Sequence, residues 1–265
     1  EKLLPITETL LAQISCSIDD IDYIAYTKGP GLVGALLVSA SFAHALAITL
    51  AKPLIPVHHL AAHVTISQYL YPQLKPPYLS LLVSGGHSMI LYTKSAFEHE
   101  VLGNTLDDAA GEAFDKGAKI LGLGYPGGPN ISKHAQLSTS TSLPDLPLPM
   151  YHHAGLDMSF SGLKTAFSQQ WQASKRTKTD VNDFAKALEQ AIVASLLRKL
   201  TKALKMYPDV ALVACGGVAA NSHLRNELKQ VAERAKRDIY YPDLVYCTDN
   251  AAMIAYQAYL QICER

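Results

Sequence analysis

Apolar positions in this chain fall into short unbroken runs bounded by glycine or proline, and into longer segments of helical length. The short runs read as buried strands and the longer segments as helices. Ile21–Tyr26 and Leu54–Val57 are of strand length, and Gly29-Pro30-Gly31 between them opens a helix that runs to Leu50. Gly34–Ala51 is the most apolar stretch, but Ser39, Ser41, His44 and Thr49 interrupt it and Lys52-Pro53 follows. A buried core helix is expected there, not a membrane span. A further helix is expected from about His59 to Tyr71. The amphipathic stretch Leu3–Ile14 opens the chain, so no secretory signal is expected. Strand, glycine turn and helix in alternation indicate parallel α/β structure. Pro72-Gln-Leu-Lys-Pro-Pro77 then reads as a lobe boundary.

Beyond Pro77 the apolar run Leu79–Val83 breaks at Ser84-Gly85-Gly86 and resumes at Met89–Tyr92, the pattern of a β-hairpin with a tip of small residues. A strand near Glu98–Leu102 and a helix over Asp107–Leu121 follow, then a Pro/Ser/His-rich excursion over Gly122–Gly155. Helices are expected near Phe160–Gln169 and Val181–Met206, and a strand at Val210–Ala214. After Gly216-Gly217 come helix Ala219–Arg237, strand Ile239–Tyr241 and a last helix from about Thr248. This half repeats the series of the first half with an opening hairpin and a third strand added. If the halves are duplicates, the chain begins in mid-lobe. The expected lobes are 1–77, completed by 246–265, and 78–245.

The chain has 265 residues, 49% of them hydrophobic, which is ample core for one large domain or two lobes. Charged residues are 17% and balance, with 23 Lys or Arg against 23 Asp or Glu. No global field draws a polyanion, so a nucleic-acid partner would need a local patch. Lys164–Lys205, with nine basic residues against three acidic, is such a patch, and Arg225–Arg237 adds five more basic residues. A solvated helix face accounts for them equally well. Cys16, Cys215, Cys247 and Cys263 lie far apart without a Cys-x-x-Cys pair, a reduced, cytosolic pattern.

His59 and His63 stand four apart, so on a helix both imidazoles share one face at metal-chelating spacing. The alternative is a pair of histidines capping or packing at a helix start. A peptidase of the His-Glu-x-x-His type needs its base where this chain has Leu60. Thr248 is expected to cap a helix with Asp249 and Asn250 in its first turn, which sets a carboxylate at a helix start beside a lobe junction. It serves as a third ligand or as plain capping. Gly85-Gly86 frees backbone N–H groups to face a ligand, as a phosphate cradle does. Gly216-Gly217 follows a buried strand, where open α/β sheets bind nucleotides, and Asn221 is placed to bond a ribose or base. Ordinary turns account for each glycine pair as well. Asp108, Glu112 and Asp115 are expected on one helical face, where like charges repel unless a cation or ligand donors meet them. Tyr125-Pro126-Gly127-Gly128-Pro129 reads as a rigid turn suited to close contact with a flat ligand.

Thr27–Gly34, His59-x-x-x-His63, Val83–His87, Asp107–Lys116, Tyr125–Pro129, Phe160–Lys164, Gly216–Asn221 and Thr248–Asn250 occur in this order over essentially the whole chain. Together they resemble the bacterial tRNA N6-adenosine threonylcarbamoyltransferase family, once misnamed a glycoprotease. The resemblance implies an α/β, actin/hexokinase-like two-lobed fold. It implies a truncated N-terminal lobe, since the phosphate loop with which the family opens has no counterpart here. The implied reaction moves the threonylcarbamoyl group of threonylcarbamoyl-AMP to N6 of the adenosine beside the anticodon in tRNAs reading ANN codons. The implied metal ligands are His59, His63 and Asp249, for one divalent metal, iron ahead of zinc. The implied adenylate or ATP contacts are Leu82, Val83, Ser84, Gly85, Gly86, Asp115, Gly128 and Asn221. No general base is implied.

The resemblance also implies tRNA, a non-catalytic paralogue and a small ATPase as partners, a cytoplasmic location and no membrane. Leu82 stands where archaeal relatives place a metal-ligating Tyr, and Ser132 where many relatives carry an acidic residue for the ribose. The alternative is a truncated non-catalytic paralogue acting as a binding subunit of the same complex, although such paralogues typically lack the His-x-x-x-His pair. A sugar kinase on the same fold would need a catalytic Asp and a sugar loop, and the sequence displays neither.

Overall fold

The computed structural model describes Lys2–Cys263. The chain separates into two units, residues 1–66 with 250–265 and residues 67–249. The sequence pattern places the divisions at 77/78 and 245/246; the first division of the structure instead falls at 66/67, inside a helix.

The first unit carries α1 (Leu3–Gln13), β1 (Ile24–Gly29), α2 (Val33–Thr49), β2 (Leu54–His58), most of α3 (His59–Leu70) and α10 (Ala251–Cys263). β1 and β2 pair in parallel, Ile24 opposite Leu54 and Thr27 opposite Val57. The connecting α2 packs on β1 through Ala43 and Ala47 against Ile24, as a β-helix-β crossover requires. α10 contacts both strands. Thr65 on α3 donates from Oγ1 to Gln257 Oε1 on α10 at 2.6 Å, both side chains buried. The expectation of a buried α2 is corrected here. Leu32, Val33, Leu37, Val38 and Ile48 are exposed, because a two-stranded sheet covers only the stripe that carries Ala43 and Ala47.

The second unit is built on a five-stranded sheet in the order β5-β4-β3-β6-β7. Its strands are β3 (Tyr78–Val83), β4 (Ser88–Thr93), β5 (His99–Asn104), β6 (Ala211–Cys215) and β7 (Ile239–Tyr240). β3, β4 and β5 form an antiparallel meander, and β6 runs parallel to β3 with Leu82 opposite Cys215. Every residue of β3 is buried, Ser80 included, which explains why its remaining positions are all apolar. Leu79, Leu81 and Val83 point alternately into the main core. There they meet α4 (Ala110–Leu121), α6 (Ser161–Ala173), α7 (Lys178–Met206) and α8 (Ser222–Ala235) through Phe114, Leu163, Leu188 and Leu224.

Three expectations change in this unit. The Gly122–Gly155 excursion contains a helix, α5 (Gly127–Leu137), which buries Ile131 and Ala135 against α7. A proline in its first turn costs no hydrogen bond, since that N–H has no partner within a helix. α4 begins at Ala110, three residues later than expected, because Asp107 and Asp108 are held in the preceding turn. α8 begins at Ser222, not Ala219, because Gly217–Ala220 form a 3-10 turn capped by Asn221. The short α9 (Leu244–Cys247) ends the unit. Among the described residues no helix is long and apolar enough to cross a membrane.

Candidate functional site

β2 runs directly into α3, so His59 and His63 occupy the first turns of that helix. Ala61 N donates to Nδ1 of His58 at 3.4 Å at the helix start. The spacing of four puts both rings on one face, with centroids 4.8 Å apart and planes at 83°. His63 is buried and His59 half-buried. The carboxylate of Asp249 completes a group in which one ligand atom from each residue lies within 4.8 Å of the others. Asp249 immediately precedes Asn250, whose Oδ1 accepts from Met253 N at 2.9 Å and so caps α10. Thr248 is therefore not the cap: the helix starts two residues later than the sequence suggests, and the Asp249 carboxylate stands outside its first turn. Two imidazoles and one carboxylate are a donor set that suits iron or zinc.

The β3–β4 hairpin closes through Ser84 N donating to His87 O at 2.8 Å and His87 N donating to Ser84 Oγ at 3.2 Å. Gly85 and Gly86 are exposed at its tip, and their N–H groups make no hydrogen bond among the described residues. Behind the tip, Gly111 N in the first turn of α4 donates to Ser84 O at 3.2 Å, and Ala110 N donates to Ser88 Oγ at 2.8 Å. The hairpin thereby satisfies donors that a helix start leaves open. A Cβ on Gly111 would stand 2.5 Å from Ser84 O, so only glycine permits this approach. β6 ends beside β3, where Gly216 adopts φ +91° with its Cα hydrogens facing Val83 O. Both glycine turns thus lie at the carboxyl ends of neighbouring parallel strands, the usual ligand edge of an α/β sheet. Leu82 and Val83 are wholly buried in β3 and support the tip from below.

α5 joins the remaining predicted residues. Asp115 on α4 accepts from Gly127 N at 2.8 Å and fixes the start of α5. Gly128 and Ser132 are one turn apart on that helix. Ser132 Oγ donates to Glu189 Oε1 at 2.6 Å, and Asn221 Nδ2 donates to both Ser132 Oγ and Glu189 Oε1 at 2.7 Å. Asn221 Oδ1 meanwhile accepts from Leu224 N at 2.8 Å and caps α8. Glu189, buried on α7, is a carboxylate that the sequence reading missed; its only signal is an acid placed within the apolar stripe of α7.

The three-carboxylate face is corrected. Asp108 lies before α4, and Lys116 Nζ reaches Asp108 Oδ1 at 2.6 Å and Glu112 Oε1 at 2.7 Å. The hydrogen bonds that Lys116 donates to these two acids hold its pKa above the ordinary value. Asp115 turns away to Gly127. The cation that such a face requires is therefore on the same helix. Asp107 serves another element. Its Oδ1 accepts from the N–H groups of Phe160 and Ser161 at 2.8 and 3.2 Å, capping α6 from a distance.

Comparison with known proteins bears on this arrangement. The family profile of tRNA N6-adenosine threonylcarbamoyltransferase matches residues 1–256. A tRNA N6-adenosine threonylcarbamoyltransferase of Chromobacterium violaceum is 45% identical over 98% of this chain and 78% of its own length. That of Thermosipho africanus is 48% identical over 97% of this chain and 78% of its own length. Among solved structures, HypF of T. kodakarensis superposes with a TM-score of 0.70 at 14% identity, over 97% of this chain and 43% of its own. The activator of 2-hydroxyisocaproyl-CoA dehydratase from Clostridium difficile gives 0.53 at 14% identity, over 99% of this chain and 84% of its own. These structural likenesses show the fold, α/β and actin/hexokinase-like.

Proposed function

This chain belongs to the tRNA N6-adenosine threonylcarbamoyltransferase family and is a transferase of tRNA threonylcarbamoylation, and we propose that it uses threonylcarbamoyl-AMP to modify N6 of the adenosine beside the anticodon in tRNAs reading ANN codons. In this reaction the N6 amine attacks the carbamoyl carbonyl carbon. A carbon–nitrogen bond forms, the carbon–oxygen bond to the phosphate breaks, AMP departs and one N6 proton passes to solvent. The departing phosphate is a weak base, so no side chain has to protonate it.

His59, His63 and Asp249 would hold one divalent metal, iron ahead of zinc. When bound it supplies a Lewis acid beside the carbonyl. The free N–H groups of Gly85 and Gly86 would donate to the adenylate phosphate. Ser84, with Leu82 and Val83 beneath it, keeps that tip in place. Asp115 would hold the turn from which Gly128 meets the nucleoside. Asn221, already tied to Glu189 and Ser132, would present that buried carboxylate to the ribose hydroxyls. Working partners would be tRNA, a non-catalytic paralogue and a small ATPase, in the cytoplasm.

The observation that carries the reading is the meeting of His59, His63 and Asp249 ligand atoms within 4.8 Å. The test incubates the protein and its partner subunits with tRNA and threonylcarbamoyl-AMP, then digests the tRNA for nucleoside mass spectrometry. Modified adenosine should form with the wild type and fall to background with Asp249→Asn. Equal product from both proteins would remove the metal site from the mechanism.

A further inference from the structure

The second unit contains a cavity of about 250 Å³ with no place in the site above. Its walls include Tyr151 and His152 from the loop after α5, and Arg198, Lys199, Lys202 and Lys205 from α7. Positions 198, 202 and 205 recur at helical spacing, so α7 turns one basic face to the opening. Among the described residues no acidic side chain lines it.

Lys199 is nearly fully buried at 3% exposure. Its Nζ donates to the carbonyls of His153 and Gly155 at 3.2 and 3.0 Å, which fastens the loop to the helix and leaves one N–H donor unspent. Burial first, then repulsion from Lys202 and Arg198, hold its pKa below the ordinary value, with Asp157 opposing. Clustered cations at this density repel one another, and a bound anion relieves that repulsion. The pocket also has a flat wall. The Arg198 guanidinium lies 4.6 Å over the Tyr151 ring, and Tyr151 meets His152 edge-on at 5.1 Å.

We propose that this pocket is a phosphate subsite for the RNA substrate, holding one backbone phosphodiester of tRNA while the Tyr151–Arg198 pair offers a stacking face to a neighbouring base. The proposal rests on the family reading above. Phosphate donors beside aromatic and guanidinium planes are how proteins hold exposed RNA strands. An acidic peptide would use the lysines and leave the stacked pair idle, so RNA fits more of what the pocket displays. The reading also gives a role to the basic run of α7, which a solvated helix face leaves without one.

The test measures fluorescence anisotropy of a labelled, unmodified tRNA transcript across a salt series, with the wild type, Lys202→Ala/Lys205→Ala and Arg198→Lys. The double variant should bind about 10-fold more weakly at low salt. Its salt slope should be less steep by about 1 to 2, the loss of one or two phosphate contacts. Arg198→Lys should keep the slope and lose a few-fold in affinity, as removal of a stacking plane predicts. ATP affinity, metal content and melting temperature should not change. A double variant with the wild-type curve and slope would overturn the subsite while wild-type tRNA binding left the family reading standing. No tRNA binding by the wild type would sink both. Loss of inorganic phosphate affinity with an unchanged tRNA curve would mark a free-phosphate site and overturn the proposal. Displacement of tRNA by polyglutamate ahead of polyuridylate would overturn it in favour of an acidic peptide.

Discussion

Asn221 donates from Nδ2 to the buried carboxylate of Glu189 at 2.7 Å, although the two residues stand 32 positions apart in the chain. The contact joins the turn after β6 to the middle of α7. Removing the amide leaves Glu189 with Ser132 as its one remaining hydrogen-bond donor among the described residues. Asn221→Ala should therefore cost about 1 to 3 kcal/mol of stability, the usual penalty of a buried acceptor losing its donor. If the cluster presents Glu189 to the ribose, ATP affinity should fall about tenfold as well, equivalent to about 1.4 kcal/mol. Denaturant unfolding and calorimetry measure the two effects separately. Unchanged ATP affinity would place the nucleoside elsewhere.

The metal proposal makes a stability prediction independent of catalysis. Stripping the protein with a chelator should lower its stability by about 3 kcal/mol relative to protein held at 100-fold the metal dissociation constant. His63→Ala should abolish that difference, and its metal content after gel filtration should fall to background. A chelator-insensitive melting curve for the wild type would count against any metal at His59, His63 and Asp249.

Gly111 tests the phosphate tip without touching its exposed glycines. A methyl group at that position would stand 2.5 Å from Ser84 O and 2.8 Å from the Gly85 Cα. The backbone has to move, because no flexible side chain is there to yield. Gly111→Ala should cost about 1 to 3 kcal/mol as an overpacked contact and should weaken ATP binding by displacing Gly85 and Gly86. Metal content should stay at the wild-type level. A variant with wild-type ATP affinity would show that the tip does not hold the phosphate.

The parts of this fold that were legible in the sequence are those encoded locally. Leu79–Val83 reads as a buried strand because every position but Ser80 is apolar, and Gly85-Gly86 marks its turn. His59 and His63 share a face because four residues make about one helical turn. What was not legible depends on contacts distant in sequence. Glu189 looks like an ordinary surface acid on a long helix until Ser132, 57 positions away, is seen to bond it. α5 escaped notice because its buried stripe is little more than Ile131 and Ala135 behind a Gly-Gly-Pro start. The α4 carboxylates read as a repelling face because helical spacing alone does not show that Lys116 reaches both Asp108 and Glu112. α2 read as core because its composition is apolar, and composition does not say how much sheet is present to cover it.

Asp107 supplies a pH-dependent term whose sign follows from its contacts. Desolvation raises its pKa, but hydrogen bonds from Ser159 Oγ, Phe160 N, Ser161 Oγ and Ser161 N outweigh it and hold the folded value below the ordinary 3.8. A carboxylate with a depressed folded pKa stabilises the protein fully above its unfolded value, and that contribution disappears as pH falls through the folded value. Asp107 is exposed, so solvent screening limits the effect to about 1 kcal/mol, typical of a helix cap. Asp107→Asn retains one acceptor for the α6 backbone but turns the other oxygen into a donor, opposite two serine hydroxyls. The variant should be less stable than the wild type by about 1 kcal/mol at pH 7. The gap should hold down to about pH 4 and close below it as the wild-type carboxyl takes its proton. Urea unfolding of both proteins at a series of pH values reads the difference directly, because every other titrating group is common to the pair. A gap that persisted unchanged well below pH 4 would mean that the loss comes from altered packing at the α6 start, not from the charge on Asp107.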